Sequence, residues 1–102
     1  MALSKAQQIV SQSPVVVFSK SYCRYCKKVK QLLGSLTQNL KVVELDQEGD
    51  GADLQKALAE WTGQRTVPNV FINGKHIGGC DDTIALNSKG QLLSLLQEAG
   101  AI

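Results

Sequence analysis

A chain of 102 residues with 43% hydrophobic and 20% charged side chains can close one core unaided, so a single domain over residues 1–102 is expected. No apolar run approaches the ~18 residues of a membrane span, which leaves no membrane-spanning helix and no membrane partner to expect. The net charge of +2 hides an asymmetry. Lys5, Lys20, Arg24, Lys27, Lys28, Lys30 and Lys41 occupy residues 1–43 without one acid, whereas the rest of the chain carries nine acids and four bases. A solvated basic helix face accounts for such clustering with no function attached. The cations are not interleaved with stacking aromatics, so no nucleic-acid partner is expected. They crowd two thiols instead, which points to a small anionic partner or a thiolate.

The opening "MALSKAQQIVSQSP" shows neither a secretory apolar core nor an Arg/Ser-rich transit composition, and a cytoplasmic location is the expectation. Leu3, Ala6 and Val10 mark a short helix that Pro14 ends. Val15 to Phe18 is a β-branched run typical of a buried strand. Val29, Leu32, Leu33 and Leu36 recur at spacings of three and four, an amphipathic helix over roughly Tyr25 to Leu36. Leu40 to Leu45 reads as a second buried strand, which completes a parallel βαβ unit. Leu54, Leu58 and Trp61 then share one face of a helix closed by Gly63. "NVFINGKHIGG" predicts two short strands joined at Asn73-Gly74. Asp81 to Ala99 is helical, with a break near Gly90. One parallel βαβ unit plus one hairpin makes a small mixed α/β sheet flanked by helices.

"SKSYCRYCKK" falls between the first strand and the following helix, the edge where α/β folds place their chemistry. An odd count of three cysteines does not make a secreted disulfide scaffold, and a close pair reads as redox or metal chemistry. A thiol reacts as its thiolate. Cys23 stands where the helix begins, and there unpaired N–H groups and the macrodipole favour negative charge. Lys20, Arg24 and Lys27 lie nearby in sequence. One cation ~7 Å away at an effective dielectric of ~40–80 contributes about 0.6–1.2 kcal/mol, so several must act together with the helix end. Cys26, one turn on, can close a short disulfide with Cys23. The natural assignment is Cys23 as nucleophile and Cys26 as resolving thiol. Two readings compete with it. Cys-x2-Cys with His76 and Cys80 has the composition of a zinc site, although His76 and Cys80 flank a predicted strand and not a knuckle. Two unreactive buried cysteines would need none of the surrounding cations.

A second constellation is "GQRTVPNVFINGKHIGGCDD". Thr66-Val67-Pro68 precedes a strand, where proline suits a strand start or a cis turn that directs backbone groups toward a ligand. Gly78-Gly79 gives flexible backbone before a helix start, with Asp81 and Asp82 as first-turn acids that can serve as caps.

With "SKSYCRYC", "GQRTVPNVFINGKHIGG" and "CDD" in this order and spacing, the chain resembles dithiol glutaredoxins of plants and green algae over nearly its whole length. "WCGPC", the usual thioredoxin motif, is absent. The resemblance implies a thioredoxin-like fold with a four-stranded mixed sheet. It also implies a glutathione-disulfide oxidoreductase with glutathione as reductant, glutathionylated proteins and small mixed disulfides as substrates, and a monomeric state. By the same resemblance Cys23 is the catalytic cysteine and Cys26 the second one. Lys20 and Gln64 would bind the glycine carboxylate of glutathione, and Tyr25 would line its groove. Thr66 and Val67, before a cis Pro68, would pair with its cysteinyl unit. Gly79, Cys80 and Asp81 would hold its γ-glutamyl end, with Asp82 nearby.

Between the cysteines stands Arg24-Tyr25, where the family usually has Pro-Tyr, or Gly-Tyr or Ser-Tyr in its cluster-binding members. Losing the proline restores a backbone N–H in the first helical turn. The resemblance therefore carries an alternative from another class, a carrier or sensor in which Cys23 and glutathione hold a [2Fe–2S] cluster across a dimer. No other metal is expected.

Overall fold

In the computed structural model, which describes residues 1–102, the chain forms five helices and four strands. They are α1 (Ala2–Gln12), β1 (Val15–Ser19), α2 (Arg24–Leu36), β2 (Leu40–Glu44), α3 (Gly51–Thr62), β3 (Asn69–Ile72), β4 (Lys75–Gly78), α4 (Cys80–Ser88) and α5 (Gln91–Glu98). The strands form one mixed sheet in the order β2-β1-β3-β4, the arrangement that the resemblance implies. β1 runs parallel to β2, with Val15 opposite Leu40 and Ser19 opposite Glu44. β3 is antiparallel to both β1 and β4. The β3–β4 turn places Asn73 and Gly74 at φ of 54° and 75°, the left-handed pair that a two-residue hairpin requires.

β1 is buried at every position because both faces of the sheet are covered. Side chains of one strand alternate between faces. Val15 and Val17 pack with Val29 and Leu33 of α2 and with Leu92 and Leu96 of α5. Val16 and Phe18 face Ala6 and Val10 of α1 and Leu54 and Leu58 of α3. Phe71 binds this second layer together, edge-on to Phe18 at 5.9 Å and stacked on Trp61 at 5.0 Å. Trp61 is therefore half-buried against the core, on the helix face that its spacing predicts.

Two close approaches set the ends of these elements. A Cβ on buried Gly51 would fall well inside contact distance of the Leu45 carbonyl, so only glycine lets α3 start against the end of β2. At the other edge, Thr37 Oγ1 and Asn39 Nδ2 both donate to the Ala101 carbonyl, at 2.7 and 3.0 Å, and fix the C-terminal segment. The helix expected from Asp81 starts one residue earlier, at Cys80, with Gly79 as its cap. That shift has a cause: the Asp82 carboxylate reaches back to accept the Gly79 N–H at 3.0 Å and anchors the helix start one residue upstream. The break at Gly90 is present, with φ of 73°. No helix is long and apolar enough to cross a membrane.

Candidate active site

Parallel pairing of β1 and β2 brings the C-terminal ends of both strands to one edge. Buried Ser19 ends β1, and the loop Lys20-Ser21-Tyr22 leads into Cys23. Asp46, just beyond β2, grips this loop. Its carboxylate accepts the Ser21 N–H at 2.9 Å and the Ser21 hydroxyl. Those two donors hold the Asp46 carboxyl below the usual aspartate range, with Lys20 adding to the effect. The loop closes when Cys23 N–H donates to the Lys20 carbonyl at 3.0 Å.

Cys23 is the N-cap of α2, and its Sγ accepts the backbone N–H of Cys26 at 3.2 Å. The sulfur thus takes the place of the Ser, Thr or Asp oxygen that usually satisfies an unpaired N–H at a helix start. Cys23 is half-buried, and its thiol also faces the Val67 carbonyl at 3.9 Å. Cys26 is fully buried one turn behind it. Burial pushes the Cys26 thiol up to about 11, and the neighbouring Cys23 acts in the same direction. The Lys20 N–H and the Ser19 hydroxyl oppose that rise. The two thiols are therefore unlike: one is accessible at a helix N-terminus, the other dry and protonated at neutral pH.

The second constellation closes the other side. The Val67–Pro68 peptide is cis, the state that the resemblance implies and one of the two that the position of Pro68 before a strand allows. Thr66 is exposed and Val67 half-buried. Gln64 holds this loop, because its Nε2 donates to the carbonyls of Thr66 at 3.1 Å and Pro68 at 2.8 Å. A Cβ on Gly79 would lie 3.6 Å from the Pro68 carbonyl and 3.7 Å from Gln64 Nε2, so the glycine pair packs beside the same loop. Gly78 has φ of 127°, and a Cβ there would strike the Asp82 carboxylate. Cys80 is 8% exposed, and burial pushes its thiol up while Lys28 opposes. It lies close enough to Cys23 to sense a charge there.

Cys23, Cys26, Val67, Pro68, Gln64, Gly79 and Cys80 thus converge at the strand-end edge. Lys20 flanks them at the loop, and Tyr25 stands out from α2 with 58% of its surface exposed. Asp81 is exposed on the first turn of α4, whereas Asp82 is occupied by Gly79 N–H. His76 and Cys80 do not join the cysteine pair as a zinc set, and no three His, Cys, Asp or Glu side chains meet at one point. Instead His76 Nε2 lies 3.1 Å from Gln64 Oε1. Sequence reasoning missed Asp46 and Ser19. The signal available for Asp46 was the parallel pairing itself, which sets the residue after one strand beside the loop after the other.

Known proteins share this arrangement. Residues 15–77 match the Glutaredoxin family model. The chain is 67% identical over 102 residues to Glutaredoxin-C6 of Oryza sativa subsp. japonica, covering all of this chain and 91% of the rice protein. The crystal structure of wheat glutaredoxin superposes with a TM-score of 0.96 at 69% identity, covering 100% of this chain and 96% of that one. The buckwheat glutaredoxin–glutathione complex superposes with a TM-score of 0.97 at 58% identity, covering 100% of this chain and 93% of that one. With its half-buried Cys23 over a buried Cys26, beside a cis-proline loop and a glycine pair, this chain belongs to the glutaredoxin family of thiol oxidoreductases.

Proposed function

We propose that the protein is a glutathione-dependent thiol–disulfide oxidoreductase that reduces glutathione mixed disulfides, on proteins and on small thiols, through Cys23. The observation that carries this reading is the inequality of the two cysteines. Cys23 Sγ is reachable and held by the Cys26 N–H at 3.2 Å, while Cys26 is buried with its thiol pushed up to about 11. A nucleophile needs access and help in carrying negative charge, and only Cys23 has both. The 58% identical buckwheat protein supports glutathione as the partner, having been crystallised with it.

Glutathione lies in the groove between the Thr66–Pro68 loop and the start of α4. Its cysteinyl unit pairs with the backbone of Thr66 and Val67 beside cis-Pro68, which puts its sulfur over Cys23. Lys20 supplies the cation for its glycine carboxylate. Gln64 joins Lys20 by exchanging its longer, exposed contact with the Thr66 carbonyl for that carboxylate. Tyr25 covers one side, and Gly79, Cys80 and Asp81 receive the γ-glutamyl end, with Asp82 shaping the turn. Cys23 thiolate attacks the glutathionyl sulfur. The Cys23–glutathione bond forms, the bond to the substrate sulfur breaks, and the electron pair leaves on that sulfur, which takes a proton from water. A second glutathione thiolate then attacks the glutathionyl sulfur, releases oxidised glutathione and regenerates Cys23. Alternatively Cys26, giving its proton to water, attacks Cys23 Sγ. The Cys23–Cys26 bond forms, the Cys23–glutathione bond breaks, and glutathione leaves as its thiolate, with the intramolecular disulfide left for later reduction.

The protein acts as a monomer in the cytoplasm on this reading. No observation specifically favours the [2Fe–2S]-bridged dimer. Anaerobic reconstitution with iron and sulfide in the presence of glutathione separates the two readings. A colourless monomer that reduces the mixed disulfide of glutathione and 2-mercaptoethanol supports the enzyme. A coloured dimer without that activity overturns it.

A further inference from the structure

α2 carries Arg24, Lys27, Lys28 and Lys30 and no acidic residue. Cations in the first turns of a helix oppose its macrodipole, so this is the less favourable end for them. Folding offsets that conflict for Lys30 alone, through its 2.8 Å ion pair with Glu44. The only other ion pair joins Lys5 to Asp50, at 2.7 Å, on the far side of the sheet. Arg24, Lys27 and Lys28 are exposed and have no carboxylate within bonding distance. Asp46 is engaged by Ser21 and Asp82 by the Gly79 N–H, and exposed Asp81 forms no ion pair with the three cations.

The three cations are not scattered. With Tyr25 and Gln31 they line a shallow recess of about 270 Å³ on the outer face of α2. Support for a Cys23 thiolate explains a charge beside the sulfur, but Gln31 is two helical turns further along. A local rule broken without compensation inside the fold points to a role outside it.

We propose that this recess docks the polypeptide around the modified cysteine of a glutathionylated client, and that the segment it selects is acidic. The inference rests on the proposed reduction of mixed disulfides at Cys23. Glutathione occupies the groove on the Thr66–Asp81 side of Cys23, and the recess lies on the α2 side. A client can therefore hold its glutathionyl group in the groove while its flanking Asp or Glu residues lie along Arg24, Lys27 and Lys28. Tyr25, between groove and recess, contacts both. The chemistry of sulfur exchange is unchanged. What the patch adds is a higher encounter rate and the correct orientation of acidic clients, both weakened by salt.

The test uses three glutathionylated peptides of equal length with acidic, neutral or basic residues on both sides of the cysteine. The mixed disulfide of glutathione and 2-mercaptoethanol serves as the uncharged reference. The full-length protein at 20 mM salt is expected to show kcat/KM about tenfold higher on the acidic than on the basic peptide, falling to about two- to threefold at 300 mM. Lys27→Glu with Lys28→Glu should bring that ratio to one or below. The ratio cancels any change in Cys23 reactivity common to both peptides. Should the double variant not fold, Lys28→Glu alone should lower the same ratio. Equal rates on the three peptides at low salt, or a preference that the variants leave unmoved, would overturn the docking surface. Absence of turnover on the reference disulfide would instead overturn the proposed reaction, and the docking inference with it.

Discussion

Gln64 Oε1 faces His76 Nε2 at 3.1 Å, while Gln64 Nε2 donates to the carbonyls of Thr66 and Pro68. One side chain thereby ties the hairpin to the cis-proline loop. Gln64→Leu keeps the volume and removes all of these bonds, leaving the Pro68 carbonyl without its partner. At about 0.5–1.5 kcal/mol for a net hydrogen bond, the expected loss is roughly 1–2 kcal/mol. That corresponds to a fall in Tm of about 5–10 °C. Under the proposed function KM for glutathione should rise several-fold with a smaller change in kcat. His76→Ala removes only the exposed end of the chain and should change Tm by less than about 3 °C. Equal effects of the two variants would mean that the hairpin contact, not the loop contact, is what matters.

The three cysteines should separate cleanly in turnover. Cys23→Ser is expected to abolish glutathione-dependent reduction of a mixed disulfide. Cys26→Ser should retain much of it, because glutathione itself can supply the second thiol. Cys80→Ser should stay within a few-fold of the unaltered protein, since Cys80 is 8% exposed with its thiol pushed up by burial. Steady-state rates on the 2-mercaptoethanol mixed disulfide decide all three. Equal loss in Cys23→Ser and Cys26→Ser would establish an obligatory dithiol route.

Cys26 also makes stability depend on pH in the reduced protein. Its thiol is raised from the ordinary 9.0 to about 11, so the folded state holds this proton more tightly than the unfolded chain does. The stabilisation is full below about pH 9 and is lost as pH rises through about 11. Two units correspond to roughly 2–3 kcal/mol. Urea midpoints at pH 8 and pH 11, taken with reductant, should differ less for Cys26→Ala than for the unaltered protein. If both lose the same stability over that range, the buried thiol is not the cause. In the catalytic direction, closure of the Cys23–Cys26 disulfide from glutathionylated Cys23 should accelerate with pH above 8.

Gly51→Ala tests the junction between β2 and α3. The added methyl would overlap the Leu45 carbonyl, and backbone cannot yield as a flexible side chain can. A loss of about 3 kcal/mol or more is expected, read as a lowered urea midpoint. Gly34, with nothing near its Cβ position and ordinary helical φ, is the control. Gly34→Ala should be neutral or slightly stabilising, by up to about 1 kcal/mol.

Most of the architecture was legible because each segment speaks with one periodicity. The Val15 to Phe18 run, the Val29–Leu36 spacing and Asn73-Gly74 each specify one kind of element, and a mixed sheet follows from joining them, whereas the order of its strands comes only from the structure. The cysteine pair was legible from its place at a strand–helix junction. What could not be read were contacts between segments distant in sequence that use ordinary polar residues. Asp46 on Ser21 and His76 on Gln64 link positions 25 and 12 apart, and neither residue type announces a partner. The direction of Gln64 is a further case. Its type suits a carboxylate ligand, but only the fold reveals that its amide hydrogens already meet the Thr66 and Pro68 carbonyls.

The capping of α2 by sulfur has a consequence for how the protein could be observed at work. A sulfur engaged in a disulfide is a poorer acceptor than a thiolate, so each covalent event at Cys23 weakens the anchor of the Cys26 amide. The first turn of α2 is thereby tied to the redox state of a side chain. Protection of one backbone amide against solvent exchange should rise and fall with turnover, and no external label is needed to follow it.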